Sequence, residues 1–87
     1  MRVIKITAMW CTSCIIMNKV WKEILEKYPI ETISYDLDMD EEEVEKYNVN
    51  DKLPVFIFEN NGQELFRIIG EKKIEEMEKI MREHSVI

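Results

Sequence analysis

The sequence Trp10-Cys11-Thr12-Ser13-Cys14 contains both cysteines of the chain, separated by two residues. It follows an apolar, strand-like run and opens a run with helical spacing. A Cys-x-x-Cys pair between a strand and a helix is typical of a dithiol–disulfide redox site. Cys11 would lie at the helix N-terminus, where unpaired amides and the helix dipole favour a thiolate. Cys14 falls on the same helix face, within reach of a disulfide bond.

Two other uses of the cysteine pair must be weighed against redox chemistry. The thiolates of Cys11 and Cys14 would supply half of a four-ligand zinc site. His84 is the one histidine, so the other ligands would be carboxylates or come from a second chain. A purely structural disulfide is the third possibility, although so short a loop constrains little of the unfolded chain. We expect redox chemistry, in which Cys11 attacks a substrate disulfide and Cys14 resolves the mixed disulfide.

Length and charge narrow the class of protein. The chain has 87 residues, which predicts a single domain spanning 1–87. Its net charge of −6 argues against a nucleic-acid partner, which requires clustered basic residues. No stretch approaches the roughly 20 apolar residues that span a bilayer, and the N-terminus lacks the apolar region of a signal peptide. We therefore expect a cytoplasmic protein without membrane contact, and in a reducing compartment a lone cysteine pair is more often catalytic than structural.

The first half of the chain alternates strand and helix patterns. Residues 2–8 predict a strand that is buried on both faces, because they are almost continuously apolar. Residues 12–28 predict a helix, which Pro29 ends because the residue before a proline is pushed out of helical dihedrals. A second strand is predicted at 30–37, parallel to the first because a helix connects them. The apolar spacing predicts this buried helix face: Cys14, Ile15, Met17, Val20, Trp21, Ile24, Leu25 and Tyr28.

A short helix is predicted after the second strand. Asp40 is placed to cap it, and the acidic residues that follow suit the positive end of the helix dipole. The helix is expected over residues 41–47, with Val44 and Tyr47 as its buried pair.

The last third of the chain predicts a hairpin and a helix. Strands are expected at 54–59 and 63–69, joined by a tight turn at Asn61-Gly62 because these residues tolerate positive dihedrals. A final helix is expected at 71–84. Its buried face would carry Ile74, Met77, Ile80 and Met81.

In these features the chain resembles the thioredoxin-fold oxidoreductases, and in length the glutaredoxins and small thioredoxin-like proteins. The resemblance is carried by Trp10-Cys11-x-x-Cys14 after the first strand, Leu53-Pro54 at the third, Asn61-Gly62 in the hairpin and Gly70 before the last helix. It implies an α/β fold, β-α-β-α-β-β-α, whose mixed four-stranded sheet has the order 2-1-3-4 and helices on both faces. It also implies a monomeric protein-disulfide oxidoreductase that is supplied with electrons by a reductase and needs no cofactor or metal.

The same resemblance assigns residues to the site. Cys11 would be the nucleophile and Cys14 the resolving thiol, while Pro54 would be a cis proline beside the disulfide. The implied substrate-binding residues are Trp10, Thr12, Ser13, Leu53 and Pro54.

Several positions depart from the thioredoxin pattern. Thr12-Ser13 stands where thioredoxins carry Gly-Pro, and Lys5 stands where they bury a carboxylate in the first strand. Ser34 replaces the lysine usually paired with that carboxylate. We expect Lys5 to bend out to solvent along its aliphatic stem. The alternative is that its amine tunes the cysteine pKa values or accepts a proton.

Two rival functions remain open at the level of sequence. Glutathione-linked reduction would use Lys52 for a glutathione carboxylate, although the second glycine that glutaredoxins carry after the position of Gly70 is missing. The other rival is a module that binds or delivers a soft metal or an iron–sulfur cluster through two thiolates, with a second chain completing the site. His84 is interpreted as a favourable cation near a helix end rather than a ligand.

Overall fold

A computed structural model describes all 87 residues of the chain. Its elements alternate in the predicted order, and most bounds lie within two residues of the predicted ones. They are β1 (Arg2–Thr7), α1 (Thr12–Lys27), β2 (Glu31–Asp36), α2 (Glu41–Glu45), β3 (Val55–Asn60), β4 (Gln63–Ile69) and α3 (Ile74–Glu83). None of the three helices is long and apolar enough to cross a membrane.

The four strands form one mixed sheet in the order β2-β1-β3-β4, as expected. β1 pairs with β2 in parallel, so that Lys5 lies opposite Ser34. β1 and β3, and then β3 and β4, pair antiparallel. The two central strands are the most apolar, because their side chains are covered on both sides of the sheet.

The sheet separates two apolar clusters. One cluster lies under α1 and α3 and contains buried side chains from both helices, including Trp21 and Met77, packed on Phe56 and Phe58. The other lies towards α2 and contains Val44 together with the alternate residues of β1 and β3. Both cysteines belong to this second cluster. The redox pair is therefore part of the core rather than an addition to the surface.

The buried face of α1 is narrower than predicted. Its fully buried residues are Cys14, Met17, Trp21 and Ile24. The prediction for Ile15 is wrong: its side chain is 58% exposed, because it follows Cys14 by about 100° around the helix and faces away from the sheet. Tyr28 leaves the helix with extended backbone angles before Pro29, as predicted.

Two helix starts differ from the predictions. Asp40 precedes α2, but its carboxylate does not cap the helix; it accepts the backbone N–H of Asp36 at 2.8 Å. The competing turn at the end of β2 takes the carboxylate that sequence reasoning assigned to the helix. The last helix begins at Ile74 rather than at residue 71, because Lys73 is still extended after the positive φ of Gly70.

The hairpin between β3 and β4 has the predicted geometry. Asn61 has φ of 53° and Gly62 has φ of 80°, the positive values that a tight two-residue turn requires. Arg67 of β4 donates to the backbone oxygen of Tyr47 at 2.9 Å and ties the hairpin to the segment after α2.

Candidate active site

Cys11 and Cys14 are joined as a disulfide at the start of α1, with their Cα atoms 5.2 Å apart. Cys11 is the N-cap residue of the helix, and Cys14 lies in its first turn. The side chains differ in access: Cys11 is 7% exposed and Cys14 only 1%. Cys11 is therefore the more accessible of the two residues.

The helix N-terminus provides a partner for negative charge on Cys11. The backbone N–H of Cys14 donates to Cys11 Sγ at 3.1 Å, so the sulfur takes the place of an N-cap oxygen. The first turn of α1 carries no acidic residue that would oppose the dipole. This arrangement favours a thiolate at Cys11 once the disulfide is reduced.

Leu53 shares an apolar cluster with both cysteines, although it is about forty residues away in sequence, and Pro54 follows it directly. Their peptide bond is cis, as the resemblance implied. Both residues are buried, and Leu53 belongs to the same apolar cluster as the cysteines. The backbone oxygen of Pro54 accepts the N–H of Gly70 at 2.9 Å, which joins this segment to the end of β4.

Trp10 is fixed at one end and exposed at the other. Its Nε1 donates to Asp38 Oδ2 at 2.7 Å, while the side chain remains 60% exposed. Two exposed methionines adjoin this bonded pair in sequence, because Met9 precedes Trp10 and Met39 follows Asp38. The indole is thus a largely exposed side chain that adjoins Cys11 in sequence and is bonded to the segment after β2.

Thr12 and Ser13 occupy the first turn of α1 on its solvent side. Thr12 is exposed, and Ser13 is half-buried. Ser13 Oγ donates to Glu71 Oε1 at 3.1 Å, which links the start of α1 to the segment that precedes α3.

Lys5 reaches the protein surface at Asn18, whose side chain is exposed. It is half-buried, and its Nζ donates to Asn18 Oδ1 at 3.0 Å. Burial lowers the pKa of the Lys5 amine below that of a free lysine. The amine makes no hydrogen bond to either cysteine, so any influence on them acts through space.

Lys52 and His84 lie outside this arrangement of side chains. Lys52 is exposed in the loop before Leu53, and its backbone N–H donates to Asn50. His84 caps the C-terminus of α3, where its ring stacks on Phe66 with centroids 3.9 Å apart and Nδ1 lies 3.0 Å from the oxygen of Ile80. Across the chain, no group of three or more His, Cys, Asp or Glu side chains is placed to hold a metal ion.

Sequence reasoning missed three residues around the site, namely Asn18, Asp38 and Glu71. The sequence could have indicated Asn18, because this residue lies four residues after Cys14 and therefore on the same helix face. Asp38 follows β2, which is parallel to β1. It therefore lies at the same end of the sheet as the cysteine motif that follows β1. Glu71 gave no local signal, because only the return of the chain after Gly70 brings it to Ser13.

Comparisons with known proteins agree with this geometry. The family model described as Thioredoxin matches residues 1–83. A thioredoxin H-type from Fagopyrum esculentum is 34% identical over 79 residues, which are 90% of this chain and 67% of that protein. Thioredoxin H5 from Oryza sativa subsp. japonica is 38% identical over 69 residues, which are 78% of this chain but only 50% of the relative.

Solved structures give the same result. A crystal structure of a reduced thioredoxin pre-protein from Schistosoma mansoni superimposes with a TM-score of 0.81 and 31% identity, covering 93% of this chain and 75% of that one. Thioredoxin from Fasciola hepatica gives 0.77 and 30%, covering 93% and 80%. With its order of strands, its cysteine pair at a helix start and its cis proline, the chain belongs to the thioredoxin family of thiol–disulfide oxidoreductases.

Proposed function

We propose that this protein reduces disulfides in other proteins, using Cys11 as nucleophile and Cys14 as resolving thiol. One observation carries the proposal: Cys11 Sγ lies at the N-cap of α1 and accepts the N–H of Cys14 at 3.1 Å. That bond stabilises the form of the sulfur that attacks a disulfide. Cys14 is more deeply buried than Cys11, so we assign it to the later step, in which it attacks the mixed disulfide on Cys11.

The exchange has two steps. The Cys11 thiolate attacks one sulfur of the substrate disulfide, forms a mixed disulfide and releases the other substrate sulfur as a thiolate. Cys14 then loses its proton to solvent and attacks Cys11. The bond between Cys11 and the substrate breaks, the second substrate thiolate leaves, and the Cys11–Cys14 disulfide forms. A reductase or another dithiol must return two electrons before the next cycle.

The surface around the disulfide favours a polypeptide substrate. Four exposed apolar side chains lie next to the residues of the site in sequence or in the sheet: Met9, Trp10, Met39 and Ile69. Flexible methionines and an amphipathic indole suit contact with varied protein surfaces. We assign substrate contacts to Trp10, Thr12, Ser13, Leu53 and Pro54, with backbone groups near Leu53 binding an extended segment. We also propose that the protein is cytoplasmic and monomeric.

An insulin-reduction assay tests this function. Protein supplied with thioredoxin reductase and its nicotinamide reductant should precipitate insulin chains, and Cys11→Ser should abolish the activity. Cys14→Ser should instead accumulate a mixed disulfide with the substrate on Cys11, because the resolving step is lost. Lys19→Ala serves as the matched control, since it alters an exposed position of the same helix without removing a sulfur or a substrate contact. Full activity in Cys11→Ser would contradict the proposal.

The glutathione alternative is separated in the same assay. Lys52 is exposed beside Leu53, where it is free to meet a carboxylate of glutathione. If glutathione with its reductase supports turnover and thioredoxin reductase does not, the glutathione-linked function replaces the one proposed. The equilibrium potential of the Cys11–Cys14 couple decides the direction: about −270 mV indicates a reductant and about −120 mV an oxidant. Metal or colour in protein purified without oxygen would favour the metal or cluster module.

A further inference from the structure

Lys5 brings a positive charge to α1, where its amine meets the exposed side chain of Asn18. Its side chain lies on the face of β1 that α1 covers, and Nζ is fixed by Asn18 Oδ1 at 3.0 Å. The residue is half-buried, and burial lowers the pKa of its amine. A cation in this position has lost part of its hydration, so it interacts more strongly with any charge that forms nearby.

No carboxylate neutralises this cation. The ion pairs of the structure join Arg2 to Glu59, Lys27 to Glu78 and Arg67 to Glu64, and none includes Lys5. The oxygen of Asn18 satisfies the amine as a hydrogen-bond acceptor but carries no net charge.

The residues that surround Lys5 on neighbouring elements leave the charge unbalanced. Its strand neighbours are Ser34 on β2 and Phe56 on β3, both uncharged. Asp36, the next residue along the same face of β2, uses its Oδ1 to accept the amides of the turn at 38 and 39. On α1 the charged residue one turn beyond Asn18 is Lys22, which has the same sign, and the buried residues of α3 are methionines.

The group on α1 on which this charge would act is the resolving thiol of Cys14. Asn18 follows Cys14 by four residues, so the two side chains lie one turn apart on one face of α1, with about 6 Å between them along the helix. Cys11 Sγ is bonded to Cys14 Sγ in the disulfide, and it already accepts the N–H of Cys14. Cys14 is 1% exposed in an apolar cluster, and the carboxylate facing this turn is Glu71, bonded to the adjacent Ser13.

We propose that Lys5, held in place by Asn18, is a positioning residue for the second step of exchange, in which its ammonium stabilises the thiolate of Cys14. The inference rests on the proposed function. Burial by itself disfavours a charged Cys14, and a neighbouring cation offsets that effect. The Cys14 proton leaves to solvent, and the cation lowers the energy of the anion that remains until it attacks Cys11.

The test measures the titration of Cys14 alone. In a Cys11→Ser background, the ultraviolet absorbance of the Cys14 thiolate is followed against pH. Adding Lys5→Met should raise the pKa of Cys14 and reduce its thiolate fraction at neutral pH about three- to tenfold. Lys5→Arg should preserve the native titration, because the charge remains. Lys22→Met is the matched control for loss of one positive charge from the helix surface, and it should have no effect.

A second variant keeps the test independent of folding defects in Lys5→Met. Asn18→Leu retains the charge and removes the oxygen that fixes it, so the Cys14 titration should move part of the way in the same direction. With both cysteines present, Lys5→Met should also slow the decay of a preformed mixed disulfide.

Some results would overturn the inference. An unchanged Cys14 titration in Lys5→Met, or an equal shift in Lys22→Met, would show that Lys5 has no specific influence. A titration moved by Lys5→Arg as much as by Lys5→Met would indicate a packing effect instead. The titration requires no protein substrate. Its result can therefore be interpreted even if the protein fails to reduce insulin, and the two failures are distinguishable.

Discussion

At the scale of single residues, Trp10 and Trp21 show how environment sets the role of one residue type. Trp21 is 2% exposed, packs against Phe56 and Phe58, and donates through Nε1 to Thr32 Oγ1 at 3.1 Å. Trp10 is 60% exposed beside the disulfide. Trp21 belongs to the core, as its helical spacing predicted, whereas Trp10 is exposed to solvent.

This contrast gives a stability prediction. Trp21→Ala should lower the free energy of unfolding by about 3–5 kcal/mol, because it leaves a cavity between α1 and the sheet. Trp10→Ala, the matched control, should lower it by less than about 1 kcal/mol, since its ring is mostly in water. Urea unfolding followed by far-ultraviolet circular dichroism measures both. Equal losses for the two variants would contradict the assignment of Trp21 to the core.

Buried charge was the feature that residue-level reasoning detected least well. Glu59 is 4% exposed, and its carboxylate is bound by Arg2 across the β1–β3 pair. The hydrogen bond and the charge of Glu59 raise the pKa of the Arg2 guanidinium. Alternating patterns predicted the strands but did not reveal this pair, because its partners are 57 residues apart in sequence.

At the scale of elements, the hairpin shows how local chemistry determines a turn. Asn61 and Gly62 both have positive φ, and a Cβ added at Gly62 would meet no atom within 4 Å. The requirement for glycine is therefore a matter of backbone conformation rather than of space.

A substitution at this turn tests that reading. Gly62→Ala should lower the free energy of unfolding by about 1–2 kcal/mol, because an L-residue in the left-handed region is strained. Gly62→Asn, as the matched variant, should lose less, since asparagine tolerates this conformation better. Urea midpoints of the two variants provide the measurement. A larger loss for Gly62→Asn would indicate that packing, and not the backbone, controls the position.

Among the helices, α1 has the best-predicted start and end. Its N-terminus follows from the cysteine pair, and Pro29 determines its end, both through local backbone chemistry. The start of α3 was placed three residues too early, because acidic residues at 71, 75 and 76 resemble a first helical turn. The structure instead uses Glu71 to bond Ser13 and extends the chain as far as Lys73.

At the scale of the whole molecule, one sheet connects both apolar clusters. β1 contributes Val3 to the cluster under α1 and α3, and Ile4 and Ile6 to the cluster towards α2. β3 contributes to both in the same alternating way. Because the two clusters share the central strands, loss of one face exposes the other.

The shared strands predict cooperative unfolding. In a urea titration followed by methyl NMR, Ile6 on the α2 side and Met77 under α3 should lose their native signals at one midpoint. Val44 provides an internal comparison from the short helix itself. Separate midpoints for Ile6 and Met77 would contradict the picture of a single cooperative core.

The sequence by itself determined the element order, the hairpin, the limits of α1 and the identity of the cysteine pair. These features depend on local periodicity, on turn chemistry and on two thiols close in sequence, so they can be predicted from short stretches of the chain. The family resemblance added the sheet order and the cis bond before Pro54, and the structure has both.

Only the tertiary structure decided which distant side chains surround the sulfurs. Parallel pairing of β2 with β1 carries Asp38 to Trp10, the return of the chain after Gly70 carries Glu71 to Ser13, and packing of α1 on the sheet brings Asn18 to Lys5. The direction of a long side chain such as Lys5 depends on what covers it, which no local pattern contains. The electrostatic environment of the disulfide is therefore a property of the folded chain, because charges act across contacts that the sequence separates.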